Sequence, residues 1–121
     1  MKLKEHKNMT YSKWSQFPWE KQILLIASEL QRALNWLRRG DMEEAKLCYS
    51  RALELIYLAI EYLKNTSSGN RLREMLRLKE FLQGEYIKRE KSLHTCQLLL
   101  QSLLLLSPQA YNLLNPDVSG S

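Results

Sequence analysis

The feature that most constrains this chain is a single glycine, Gly40, placed between two long segments of helical periodicity. Before it, apolar residues recur at spacings of three and four, as on one face of a helix: Ile23, Ala27, Leu30, Leu34 and Leu37. A second stripe with the same spacing follows it: Met42, Ala45, Tyr49, Ala52, Ile56, Ala59 and Leu63. Gly40 is suited to end the first helix, and Asp41 to begin the next as an N-cap with Glu44 three residues later. So short a joint predicts two long helices folded back as an antiparallel hairpin.

Two further helices are predicted after a polar, turn-rich loop at residues 65–70. The first has one apolar face: Leu72, Met75, Leu76, Leu82 and Tyr86. Ser92 is the predicted N-cap of the second, which is expected to end at Ser107-Pro108, and one continuous helix through residues 88–91 is the alternative. The helices are therefore predicted near residues 18–39, 41–64, 70–89 and 92–107. Four helices with short joints predict an all-α antiparallel four-helix bundle.

The composition agrees with helices and argues against sheets. The chain has 25 Leu but one Val, five Ile and three Thr, with only four Gly and three Pro. Strands favour β-branched residues and hairpins favour Gly, Asn and Asp, so an all-β fold is nearly excluded and an α/β fold is disfavoured. Within the 121 residues we predict a flexible basic N-terminal segment at 1–14, the bundle at 15–111, and a disordered tail at 112–121.

Neither a secretion signal nor a membrane span is evident from the sequence. Residues 1–10 hold no apolar run, and the run at 98–106 is nine residues long, whereas a membrane span needs about 20. Cys48 and Cys96 lack CxxC spacing and fall in leucine-rich helical patterns, where a free thiol acts as a small apolar group. These features predict a cytoplasmic protein without a membrane span. The net charge of +5 permits nucleic-acid binding, but no pattern of aromatic and basic residues supports it, so nucleic acid is not an expected partner.

No catalytic set is visible in the sequence. The whole chain has two His and two Asp, with no glycine-rich phosphate loop and no metal-ligand spacing, so we predict no enzymatic activity, no cofactor, no metal site and no small-molecule substrate. One alternative rests on Arg89 and His94, whose Arg-x4-His spacing is that of HEPN-type helical ribonucleases. In that chemistry the arginine stabilises phosphate charge and the histidine transfers protons.

The apolar surface of two predicted helices is wider than one packing face requires. On the helix at 41–64, a second stripe flanks the core stripe, and the two together span roughly 200°, against about 100° for a helix packed on one side. This second stripe consists of Cys48, Leu55, Leu58 and Tyr62. On the helix at 92–107, leucines at 98–100 and 103–106 point in all directions. Three interpretations of these two helices stay open. They are central to the bundle, or a protein partner covers them, either a second copy in a homodimer or the target of a generic adaptor, or they form an open groove for a client helix.

For the client-binding case, the predicted groove consists of the second stripe together with Leu99 and Leu103. Tyr11 and the N-terminal segment are predicted to cover part of it when no client is bound. If the groove lies there, Leu58→Asp would spare the fold, whereas Ile56→Asp on the core stripe would unfold it.

The chain also resembles the FliS family of flagellin export chaperones over roughly residues 11–111. The shared landmarks follow in order: Tyr11, a Pro-containing helix start at 17–19, the acidic joint at 40–43, an Ala with paired aliphatics at 51–56, a Gly-containing loop at 67–69, Leu76 with Phe81, and Tyr111. The resemblance implies a helical bundle that binds the C-terminal helical segment of flagellin in the cytosol. It further implies that the bundle prevents premature polymerisation and aids export, without catalysis or cofactor.

Overall fold

The computed structural model describes residues 9–66 and 69–114, and these residues contain six helices and no strand. The helices are α1 (Tyr11–Ser15), α2 (Trp19–Arg38), α3 (Met42–Lys64), α4 (Gly69–Ile87), α5 (Leu93–Leu104) and α6 (Pro108–Leu114). The prediction of an all-α fold is confirmed. The four predicted helices correspond to α2 to α5, with ends that differ from the prediction by three residues or fewer.

The bundle is organised around the α2–α3 hairpin, which is its most extensive helix–helix contact. Helix α4 packs on α3 and α5 packs on α2, while α4 and α5 contact each other far less. The helices therefore follow the spatial order α4, α3, α2, α5. Helix α3 lies between α2 and α4, and α2 lies between α3 and α5.

Gly40 ends α2 in the way its sequence position predicts. Its φ is 77°, a left-handed conformation that glycine adopts without steric cost. The Gly40 N–H donates to Leu37 O at 3.0 Å and the Asp41 N–H to Trp36 O at 2.9 Å, so the carbonyl groups of Trp36 and Leu37 in the last turn of α2 are satisfied. The Asp41 carboxylate then accepts from the Glu44 N–H at 3.0 Å and caps α3.

Ser92 separates α4 from α5. Its hydroxyl accepts a hydrogen bond from the Thr95 N–H at 3.1 Å, which is an N-cap geometry. The prediction of a separate helix from Ser92 onward is thus confirmed, and the alternative of one continuous helix is wrong.

The core is continuous from α1 to α6 and is formed by apolar side chains from all six helices. Five fully buried alanines belong to α2 and α3: Ala27, Ala33, Ala45, Ala52 and Ala59. Because the spacing of two packed helices depends on the side chains between them, these small residues allow the hairpin to close tightly. Larger side chains such as Ile23, Leu30 and Ile56 fill the remaining space.

Helix α1 corrects the prediction of a flexible segment at residues 1–14. The Thr10 hydroxyl accepts from the Lys13 N–H at 3.2 Å and caps the helix. Trp14 is 0% exposed, and its ring meets Phe17 edge-on at a centroid distance of 6.0 Å. Residues 9–14 are therefore packed on the bundle, while residues 1–8 lie outside the described residues.

Helix α6 corrects the predicted end of the bundle. The preceding helix, predicted to end at Ser107-Pro108, ends at Leu104, and Pro108 is the first residue of a new helix, where a missing N–H costs nothing. The buried Ser107 hydroxyl accepts from the Ala110 N–H at 3.2 Å and caps this turn. The predicted disordered tail begins at 112, whereas α6 continues to Leu114, and residues 115–121 lie outside the described residues.

Over the described residues, none of the helices combines the length and the apolar character that crossing a membrane requires.

The burial of Trp14 generates a first test of the fold. We expect Trp14→Ala to lower the free energy of unfolding by about 3–5 kcal/mol, because it removes a fully buried aromatic side chain and leaves a cavity. Chemical denaturation followed by circular dichroism measures this. The matched control is Gln16→Ala, an exposed position next to the same helix. Equal stability of the two variants would show that α1 is not anchored.

Candidate functional site

The structure places most of the predicted client groove inside the core. Five of its seven residues are buried, each 4% exposed or less: Cys48, Leu55, Leu58, Leu99 and Leu103. The prediction that they form an open groove is wrong in this structure. For the three residues on α3, the physical reason is the position of that helix between α2 and α4, which covers both of its apolar stripes. Leu99 and Leu103 belong to α5, which packs on α2.

The other two predicted residues, Tyr11 and Tyr62, are half-buried and join different helices through ring contacts and hydrogen bonds. Tyr62 stacks on Trp19 at a centroid distance of 6.4 Å, and the Arg71 guanidinium lies 5.1 Å from the centre of the Trp19 ring. The Tyr11 hydroxyl accepts from Asn65 Nδ2 at 3.0 Å. The indole N–H of Trp19 donates to a backbone carbonyl before α6, at 2.9 Å. These contacts tie α1, α2, α3, α4 and the α5–α6 junction together.

An open apolar surface does exist, at the seam between α4 and α5. A cavity of about 350 Å³ lies there, which we call the α4–α5 groove. Its lining consists of Glu74, Arg77, Leu78 and Phe81 from α4, with Leu98, Leu99 and Ser102 from α5. Phe81 is 62% exposed and Leu98 48% exposed, while Leu99 is buried at the floor. The groove exists because α4 and α5 are the neighbouring long helices with the least mutual contact.

The rim of the α4–α5 groove is polar and its charges are paired. Arg77 Nη1 lies 3.2 Å from Glu74 Oε1, one helical turn away on α4, and both side chains are largely exposed. An exposed pair of this kind contributes little to stability. The pair does place one positive and one negative side chain at the solvent-exposed rim of an apolar groove. An apolar centre with a polar rim is the usual arrangement of a protein–protein interface.

A partly buried charged cluster lies at the end of α4 and in the α4–α5 turn. Glu85 is buried and accepts from Lys88 Nζ at 2.7 Å, and its second carboxylate oxygen has no hydrogen-bond partner among the described residues. Lys91, also buried, donates to the Lys88 carbonyl. Burial lowers the pKa of the Lys91 ammonium, and repulsion from Lys46 acts in the same direction. These contacts hold the turn that joins the two walls of the groove.

The two thiols have no activated character. Cys48 and Cys96 are both buried and free, and burial raises the pKa of each thiol above its ordinary value. A reactive cysteine needs a lowered pKa, because the thiolate is the nucleophile. Both residues are thus packing groups, as the leucine-rich pattern around them predicts.

The residues of the ribonuclease alternative lie on the surface. Arg89 is exposed in the turn after α4 and His94 is exposed in the first turn of α5, and neither lines the α4–α5 groove. Across residues 9–66 and 69–114, no three His, Cys, Asp or Glu side chains are grouped so that they could hold a metal ion.

Phe81 and Leu98 are the site residues that sequence reasoning missed. Phe81 lies off the predicted apolar face of its helix, and Leu98 belongs to the run of leucines that points in all directions. A large aromatic residue off the core stripe of an amphipathic helix is a signal for exposure. Phe81 carries that signal in the sequence. The sequence does not show that α5 lies beside this side of α4.

Comparisons of the chain with known protein families, with curated proteins and with solved structures find no match.

The burial of both stripes of α3 generates a second test. We expect Leu58→Asp and Ile56→Asp to destabilise the protein by a similar amount, about 3–5 kcal/mol, because each buries a carboxylate in an apolar core. Thermal and denaturant unfolding measure this, with Leu47→Asp, at a partly exposed position of the same helix, as the control. If Leu58→Asp is stable while Ile56→Asp is unfolded, the result would support the client groove on α3 that the sequence predicts.

Proposed function

We propose that this chain is a non-catalytic, cytoplasmic helical-bundle chaperone that holds an amphipathic helical segment of a client protein in the α4–α5 groove. The C-terminal helical segment of flagellin is the client that the family resemblance implies. The observation that carries the proposal is the exposure of Phe81 and Leu98 beside an apolar cavity of about 350 Å³.

Leaving these side chains in water has an energetic cost that a partner removes. Burying a Leu or Phe side chain is worth about 1.5–3 kcal/mol. Phe81 and Leu98 stand on opposite walls of one groove, so a single apolar anchor inserted between them covers both. Contiguous exposed apolar surface of this kind marks an interaction site.

The shape of the groove favours a helix over a small molecule. The α4 wall comprises Glu74, Arg77, Leu78 and Phe81, which lie at helical spacings and extend over about 10 Å at 1.5 Å per residue. A client helix presents side chains at the same spacings and meets such a wall side by side. Small-molecule sites use convergent polar groups to fix orientation. Here the two charged lining residues pair with each other at the rim instead.

The resemblance to flagellin export chaperones supports the choice of client. Phe81 is one of the landmarks on which that resemblance rests, and it is the most exposed residue of the groove's apolar lining. The resemblance implies a client segment that is an amphipathic helix. Its apolar side chains would insert into the groove.

The binding test uses a labelled peptide covering the C-terminal helices of a flagellin. We expect Phe81→Asp and Leu98→Asp each to weaken binding at least tenfold, since about 1.4 kcal/mol corresponds to a factor of ten. Fluorescence anisotropy measures the dissociation constant. Ile87→Asp, on an exposed apolar residue of the same helix outside the groove lining, is the matched control and should bind like the unmodified protein.

Circular dichroism melts of the same variants show whether they are folded. Unchanged binding by a folded Phe81→Asp variant would exclude the α4–α5 groove as the client site. If the flagellin peptide does not bind but another amphipathic helix does, in a Phe81-dependent way, the protein is a helical adaptor with a different client.

A further inference from the structure

A second concavity lies on the other side of α5, between α2 and α5 and beside α6. Its volume is about 630 Å³, and we call it the α2–α5 face. Buried leucines from α2 and α5 lie at its floor, and the more exposed lining includes Gln31, Gln97, Gln101, Leu105 and Tyr111. Leu105 is 74% exposed. None of the residues that line this concavity also lines the α4–α5 groove.

This face is unusual for its lack of charge. The chain contains 18 Lys and Arg and 13 Asp and Glu, yet residues 92–116, which include all of α5 and α6, contain none of these. The α2 residues of the lining are uncharged as well. The cores of protein–protein interfaces are depleted in charged side chains, so the composition of the face matches that of an interface.

We infer that the α2–α5 face is occupied by a second copy of this chain, related by a two-fold axis. A copy with a net charge of +5 repels another copy, and this repulsion is smallest when they meet through a face without lysine or arginine. A charged partner would find no opposite charge in the lining to bind. The lack of charge therefore favours self-association over association with an acidic or basic ligand.

The polar groups of the face are complementary to themselves. Each glutamine amide has both donors and an acceptor, so Gln97 or Gln101 can pair with a glutamine of an identical face. Leucine packs on leucine in the same way. A two-fold interface needs this property, because the same patch is present on both sides of the axis.

The arrangement of residues on α5 specifies the geometry. Gln97, Gln101 and Leu105, the C-cap residue, follow one another at intervals of four. They therefore form one row along α5, with Gln101 in the middle. Two antiparallel α5 helices would place Gln101 of each copy close to the axis. Leu105 of one copy would then lie toward the concavity of the other.

The test uses charge at the middle of the row. We expect the unmodified protein to show twice its monomer mass of 14.3 kDa by sedimentation equilibrium or light scattering. Gln101→Glu and Gln101→Lys should each weaken the dimer at least tenfold, because like charges meet at the axis. An equimolar mixture of the two variants should recover the dimer, because opposite charges then meet. Gln101 is exposed, so both variants should remain folded.

Each alternative result contradicts the inference. A purely monomeric unmodified protein would exclude the dimer, and dimeric single variants would show that Gln101 is not at the interface. Failure of the mixture to recover the dimer would exclude the two-fold arrangement around α5. Phe81→Asp is the matched control and should stay dimeric, because Phe81 lies in the other concavity, so the dimer and the client proposal fail independently.

Discussion

The packing of α2 against α3 is the contact on which the rest of the structure depends. The left-handed Gly40 and the Asp41 cap turn the chain back within a few residues, and fully buried alanines let the two helices approach closely. The hairpin then offers two outer sides. Helix α4 covers the α3 side and α5 covers the α2 side. The two later helices therefore contact each other less than they contact the hairpin. The open groove between them is a consequence of that order.

The central place of α3 explains how so small a chain buries so many apolar residues. A helix packed on one side uses an apolar stripe of about 100°, whereas α3 is covered by α2 on one side and α4 on the other. Leu55 and Leu58 are therefore as deeply buried as Ile56. The apolar surplus of the sequence is largely consumed by the fold, and what remains is concentrated around α5 and the outer flank of α4.

Helix α5 separates two surfaces of different chemistry. Leu98 faces the α4–α5 groove, where a polar rim with Glu74 and Arg77 borders an aromatic anchor. Gln101 and Leu105 line the α2–α5 face, which has glutamine side chains but no charged side chain. A helix of twelve residues can border both surfaces, because it has no Asp, Glu, Lys or Arg on any side.

The sequence by itself determined the helices and most of their joints. Gly40, Asp41 and Ser92 act through hydrogen bonds within a few residues, and the helical periodicity is equally local, so both can be recognised without knowing the fold. Short α1 and α6 escaped recognition because five and seven residues are too few for a periodic signal, and the burial of Trp14 depends on contacts that the local sequence does not contain. Only the tertiary structure decided which apolar stripe is core and which is open. That choice depends on which helices lie beside α3 and on how closely α4 approaches α5. The packing of the whole bundle determines both.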